Sequence, residues 1–358
     1  MITTEETLPL TLSYPLERLY PLTDLIFFDI ETTGLSPKTS FLYLIGALYC
    51  REGVWHLTQW LANKPEEEPD ILTAFSHFAK NYKYLIHFNG ASFDLPYLQS
   101  KYRIHSLDTC LESLQSIDLY RLFRPLKNLL KLMKMNLTAL ETFLDISRCD
   151  KFSGKDLIPI YHEYLLTGNP QLRKLLLLHN HDDLLGTASL LSLLSYTDMK
   201  TGLFKVIRTT PEYATDGRFT LACEIALDTP LPKPISQMTE NGYVTAHGLT
   251  GRILIYGTSG TLKHFFPNYK DYYYLPDEDT ALHKSVAFYV AKTHRIQAKK
   301  ATCYCQKSGH FLPAMETTDA PIFKMDSLDK RTFVECTNDF LADTAALHRY
   351  LKEYLQRA

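Results

Sequence analysis

The N-terminal half of the chain alternates apolar runs with amphipathic stretches. LIFFDIE (25–31) is an almost continuous apolar run that reads as a buried strand, and Gly34 with Pro37 marks the turn after it. FLYLIGALYC (41–50) and VWHLTQWLA (54–62) read as two more strands, joined by Arg51-Glu52-Gly53 as a hairpin. PEEEPDILTAFSHFAKNY (65–82) has acids at its start and apolar residues at helical spacing, which predicts a helix. YLIHF (84–88) is a short buried strand closed by Asn89-Gly90, and DLPYLQSKYRI (94–104) reads as a helix. SIDLYRLF (116–123) starts as a strand or turn and becomes helical. From 125 to about 199 the pattern is helical throughout, with LTALETFL (137–144), DLIPIYHEYLL (156–166) and a long segment from Pro170 to Leu194. Residues 1–20 read as a lead-in. Three antiparallel strands, then alternating helix and strand, then helices predict an α/β arrangement.

The pattern changes near residue 200. RFTLACEIAL (218–227), YVTAHGLTG (243–251) and RILIYGTSGTLKHFF (252–266) read as strands with glycine turns. The segment after 280 is partly helical, and ALHRYLKEYLQRA closes the chain as an amphipathic helix. A boundary at about 200–208 follows, giving expected domains of 1–203 and 204–358, the second of α+β type. With 358 residues, two domains of ordinary size are expected.

Bulk properties narrow the field. A net charge of -2 does not mark the whole chain as a nucleic-acid binder, so any such case rests on local patches. The seven cysteines are odd in number and scattered, which does not suit a secreted disulfide framework; a reducing cytoplasm fits better. MITTEETLPL has no basic segment followed by an apolar stretch, so no signal peptide is expected. The longest apolar run, 41–50, is too short to cross a membrane.

The chemistry starts at Asp29 and Glu31. Residues two apart on a strand point to the same side, so the two carboxylates project together while Ile30 faces the other way into packing. Two bare carboxylates about 4 Å apart repel by roughly 4 kcal/mol at an effective dielectric of 20. A proton on one of them, or a cation between them, relieves that repulsion; strand-end acids bathed in water are the plain alternative. Asp94, after Asn-Gly-Ala-Ser-Phe, reads either as a helix N-cap or as a functional carboxylate. His179 and Asp183 in HNHDDLLG are i and i+4 and share a helix face, and Gly186 and Ala188 allow that helix a close neighbour.

A DxE strand, an Asn-Gly…Phe-Asp turn and a helix with an aromatic or His ahead of Asp, in that order, resemble the motifs of the DEDD exonucleases of the ribonuclease-H-like superfamily. More narrowly, FFDIETTGL (27–35), FNGASFDLPYL (88–98) and HNHDDLLGTASL (179–190), with IDLYRLFR (117–124) between, resemble the YprB-like exonuclease family. The resemblance covers about residues 22–195. It implies a ribonuclease-H-like mixed sheet flanked by helices, and a 3′–5′ exonuclease acting on single-stranded ends of DNA or RNA. It also implies that Asp29, Glu31, Asp94 and Asp183 hold two divalent cations, Mg²⁺ or Mn²⁺, the hard ions that oxygen ligands select. Two such ions can acidify a water and stabilise the leaving oxygen. One DEDD subclass has Tyr four residues before the last Asp and the other has His five before it; here His179 stands at the Tyr spacing. An imidazole can accept a proton near neutrality, so His179 is the expected orienting or basic group, with His181 as runner-up. Asp182 is the alternative to Asp183. Asp118 reads as a helix cap or a partner of the site, and Asn89 as a substrate contact or a turn former. Alternatives on the same fold are a structure-specific endonuclease and a non-catalytic nucleic-acid-binding protein.

Residues 281–310 carry six Lys or Arg and no Asp or Glu, with Phe288, Tyr289 and Tyr304 interleaved. Positive charge with rings suits single-stranded nucleic acid, so Lys292, Arg295, Lys299 and Lys300 are expected substrate contacts; a solvated basic face is the plain alternative. The C-x-C spacing of Cys303 and Cys305 does not suit a zinc knuckle. Protein partners are not legible in the sequence.

Overall fold

The computed structural model describes residues 1–214 and 218–357. The chain forms two compact units, Met1–Thr197 and Asp198–Ala358.

The first unit is built on a six-stranded mixed sheet. Its strands are β1 (Ile2–Leu8), β2 (Leu25–Thr32), β3 (Leu42–Arg51), β4 (Val54–Leu61), β5 (Tyr84–His87) and β6 (Gln115–Asp118). Their order is β1-β4-β3-β2-β5-β6. The pairs among β1, β4, β3 and β2 are antiparallel, whereas β2–β5 and β5–β6 are parallel. Apolar residues on both sides of β2 and β3 place them at the sheet centre, covered on two faces. Ile26, Phe28 and Ile30 pack with Ile71, Leu72 and Phe75 of α1 (Glu68–Ala79) and with Tyr97 and Leu98 of α2 (Asp94–Ile104). On the other face, Tyr43, Leu44 and Leu61 pack with Leu157 and Tyr161 of the helix Gly154–Thr167 and with Leu176 of the helix Pro170–Ser189. Shorter helices cover Leu119–Phe123 and Leu137–Phe143. In chain order these four are α5, α6, α3 and α4 respectively.

Two expectations needed correction here. The lead-in contains β1, an edge strand antiparallel to β4 from Ile2↔Leu61 to Leu8↔Trp55. Its mostly exposed Thr and Glu residues hide it as an apolar pattern, and pairing with β4 creates it. The stretch from 125 to 199 is not helical throughout, since residues 144–153 form a loop between α4 and α5. This loop matters to the site.

The second unit is dominated by a five-stranded antiparallel sheet. It contains β7 (Phe204–Tyr213), β8 (Arg218–Thr239), β9 (Gly242–Phe265), β13 (Tyr304–Pro313) and β14 (Phe333–Glu335), in the order β14-β13-β9-β8-β7. The glycines read as turns, Gly248, Gly251, Gly257 and Gly260, lie inside the one long strand β9; the register against β8 shifts around Gly248 and is regular through Gly251 and Gly257. A smaller three-stranded sheet joins β10 (Tyr272–Leu275), β11 (Thr280–His283) and β12 (Ile296–Gln297). The helix Thr344–Arg357 ends the described chain. Among the described residues, no helix is long and apolar enough to cross a membrane.

Candidate active site

β2 brings its two acids to the face covered by α5 and α6. Asp29 lies opposite Gly46 and Glu31 opposite Leu44 in the antiparallel register with β3. Asn180 of α6, completely buried, reaches down over Gly46. Its amide donates to the Asp29 carboxylate at 2.9 Å, and its carbonyl accepts from Gln59 at 2.9 Å. A side chain at 46 would collide with Asn180 and Leu184, so glycine there is what lets α6 approach the sheet.

Asp94 opens α2 just after β5. α6 presents His179 and Asp183 on one turn. One ligating atom each from Glu31, His179 and Asp183 lie within 4.8 Å of one another. The His179 Nε2 atom is 3.5 Å from Glu31 and 3.7 Å from Asp183. Its other ring nitrogen, Nδ1, lies 2.5 Å from the buried carboxylate of Asp150, which fixes the ring. His181 points elsewhere, toward Glu6 at 3.4 Å. Asp182 accepts backbone N–H bonds from Cys149 and Asp150 at 2.7 and 2.8 Å, so it clasps the 144–153 loop and is not free to face the other acids.

That loop supplies a group the sequence did not announce. The Arg148 guanidinium donates to Glu141 at 3.2 Å and forms an ion pair with Asp183. Glu141 is itself buried beside Gly186, where any side chain would displace it. Arg148 is the cation that partly offsets the acid cluster. The signal for it was weak: one Arg in a short polar stretch with no motif spacing.

The acids raise one another's proton affinity. Burial, then the charges of Asp183, Glu31 and Asp94, holds the Asp29 carboxyl well above the usual carboxylate range, and the Asn180 bond opposes this. Burial, followed by Asp183, Asp94 and Asp150, raises Glu31 likewise, with Arg148 opposing. Asp94 is pushed up to about 7, chiefly by burial and further by Asp118 and Asp183, against hydrogen bonds from backbone N–H groups. Four acids from three distant segments thus share one electrostatic site, and the donor set of carboxylate oxygens with one imidazole suits a hard divalent cation.

These shifts make the stability of the cation-free protein depend on pH. A carboxyl with a raised folded pKa contributes stability that is complete below its unfolded pKa of about 4 and lost as pH rises through the folded value. For Asp94 that window runs up to about 7, and Asp29 and Glu31 act in the same direction. Each pH unit between folded and unfolded pKa is worth about 1.4 kcal/mol, and each kcal/mol moves the Tm of a domain this size by roughly 2–4 °C. In chelator, the Tm at pH 8 should lie at least about 5 °C below that at pH 5, and Mn²⁺ should close the gap. Calorimetry showing an equal or higher Tm at pH 8 in chelator would contradict this account.

A cleft of about 610 Å³ opens beside the acids, lined by Asp29 and Asp183 together with Phe88, Asn89, Tyr120 and Lys134. Phe88 and Tyr120 meet edge to face at 5.8 Å. Asn89 sits in the left-handed region (φ 61°) and its backbone N–H donates to Asp118. Asp118 also accepts from Tyr120 N–H and so caps α3. Lys134 lies in a stretch the sequence pattern assigned to helix, and nothing in its spacing marked it.

The expected contacts of the second unit fare unequally. Lys292, Lys299 and Lys300 are exposed. Arg295 is committed: its guanidinium donates to the Ala287 carbonyl and lies 5.0 Å from the centre of the Tyr273 ring.

No curated relative matches the chain. Among solved structures, it is similar to a family B DNA polymerase from the hyperthermophilic archaeon Pyrobaculum calidifontis, at 14% identity and a TM-score of 0.38, over 69% of this chain and 35% of that one. It is also similar to two structures of exonuclease I, at 13% identity and TM-scores of 0.29, over 56% of this chain and 55% and 56% of theirs. The chain thus spans about a third of the polymerase and little more than half of exonuclease I. The family model of the RNase H superfamily matches residues 26–195, the stretch that carries β2 to β6, the four acids and the whole of α6. Residues 26–195 thus match the RNase H superfamily, and the N-terminal unit has an RNase-H-like mixed sheet flanked by helices.

Proposed function

We propose that the protein is a divalent-cation-dependent nuclease that removes nucleotides from the 3′ ends of single-stranded DNA or RNA. The observation that carries this reading is the convergence of Asp29, Glu31, Asp94 and Asp183, Glu31 buried and the others half-buried, into one cluster of mutually repelling carboxylates beside a cleft that Asp29 and Asp183 line. Such a cluster is costly to keep unless a cation relieves it. Asp29, Glu31, Asp94 and Asp183 would hold Mg²⁺ or Mn²⁺, which when bound make a water more acidic and offset charge on the departing oxygen. His179, fixed through Nδ1 by Asp150, presents Nε2 beside Glu31 and Asp183 and accepts the proton of the attacking water there. Lys134 offers a cation to the substrate phosphates, and Phe88 and Tyr120 offer ring surface to a base. Asn89 shapes the cleft wall beside them. The 3′ polarity is supported by the order and wording of the three motifs.

The deciding experiment uses single-stranded DNA and RNA labelled at the 5′ or the 3′ end, incubated with Mn²⁺ or chelator, and sizes the products. Mononucleotides released at once from the 3′ label, with a shortening ladder from the 5′ label, are expected in Mn²⁺ alone. Oligonucleotide fragments from the start would replace this reading with an endonuclease. An intact strand that stays bound would replace it with a binding protein.

A further inference from the structure

The segment 284–300 of the second unit places large apolar side chains in water. Phe288 is 73% exposed and Tyr289 is 87% exposed, and Val286 and Ile296 are each more than half exposed. The two rings meet edge to face at 5.7 Å and 87°. Four large exposed apolar residues within eleven positions, two of them in ring contact, are the kind of surface that a partner covers.

The charges around them narrow the partner. Over residues 281–310 there are six Lys or Arg and no acid, in a chain whose net charge is -2. Two of the six are engaged locally: Arg295 with the Ala287 carbonyl and the Tyr273 ring, and Lys307 with Glu335 at 2.6 Å. Lys284, Lys292, Lys299 and Lys300 are exposed and pair with no acid among the described residues. Exposed lysines without acid partners, in the same short segment as presented rings, suit a partner with repeated negative charge and flat apolar faces at short intervals. A single-stranded nucleic acid has both in every nucleotide, a phosphate and a base.

We propose that Phe288 and Tyr289, with Lys284, Lys292, Lys299 and Lys300, form a sequence-tolerant binding platform for single-stranded nucleic acid. The lysines meet phosphates and the rings stack bases. The platform consists of residues of the second unit alone, and its test does not read hydrolysis.

The full-length protein is titrated in chelator, where strands stay intact, into a fluorescent oligothymidylate, and anisotropy is followed across salt concentrations. Four phosphate contacts give a slope of log affinity against log salt of about -3, from about 0.7 per contact. Phe288→Ala with Tyr289→Ala is expected to lower affinity about tenfold or more and leave the slope unchanged. Lys299→Glu with Lys300→Glu is expected to lower affinity and flatten the slope. An abasic strand should bind the parent and the ring variant equally. All four substituted residues are exposed, and an unchanged melting curve confirms folding. Parental affinity and slope in both double variants would overturn the platform. So would phosphatidylglycerol vesicles binding through these residues while oligothymidylate binding ignores them.

Discussion

An Asp29→Asn protein should lose at least about 10³-fold of its oligonucleotide hydrolysis, since a cation-held transition state derives several kcal/mol from its ligands. In chelator the same variant should melt above the parent. Asp29 is half-buried, repelled by Asp183, Glu31 and Asp94, and held by one amide bond from Asn180. An amide of the same shape keeps that bond through its carbonyl and removes one charge, whose partial burial without a counter-ion is unfavourable. Loss of activity with gain of Tm separates a ligand from a structural residue, because a structural residue loses both. Hydrolysis within tenfold of the parent would remove Asp29 from the site.

The second large effect concerns His179. His179→Ala in saturating Mn²⁺ should lower kcat by about 10²–10⁴-fold, the range for losing a positioned proton acceptor, with little change in KM. Asp150→Asn should cost less, because the ring remains and only the fixing of Nδ1 weakens. Retained turnover in His179→Ala would leave the histidine as a packing residue between Asp150 and Glu31.

What could be read from the sequence divides along a physical line. β2 to β5 were legible because strands covered on both faces must be apolar along their length, and LIFFDIE and YLIHF show this without tertiary knowledge. β1 was not, because Thr and Glu carry no such demand and its position depends on β4. The acids were expected as a group only from the order of the three motifs that resemble the DEDD exonucleases; each local feature alone, a strand end, a turn before a helix or a helix face, reads as readily as a cap or a solvated turn. Arg148, Asp150 and Lys134 lie in irregular backbone, and their positions follow from contacts to residues such as Glu141 and Asp183 that spacing alone does not foretell. The interior role of Asn180 hid inside a polar run, HNHDD, whose ordinary reading is a solvated helix turn. In the second unit, glycines that signal turns lie within the single long strand β9, paired on both sides, and only around Gly248 does the register shift.

The two bare backbone positions, Gly46 beneath Asn180 and Gly186 beside Glu141, have a consequence for anyone wishing to graft this chemistry onto another scaffold. Copying the four acids alone would leave the helix too far from the sheet, because each missing methyl group is a socket that a polar side chain from elsewhere occupies. The transferable unit is larger: sockets, plugs and the clasped loop must travel together.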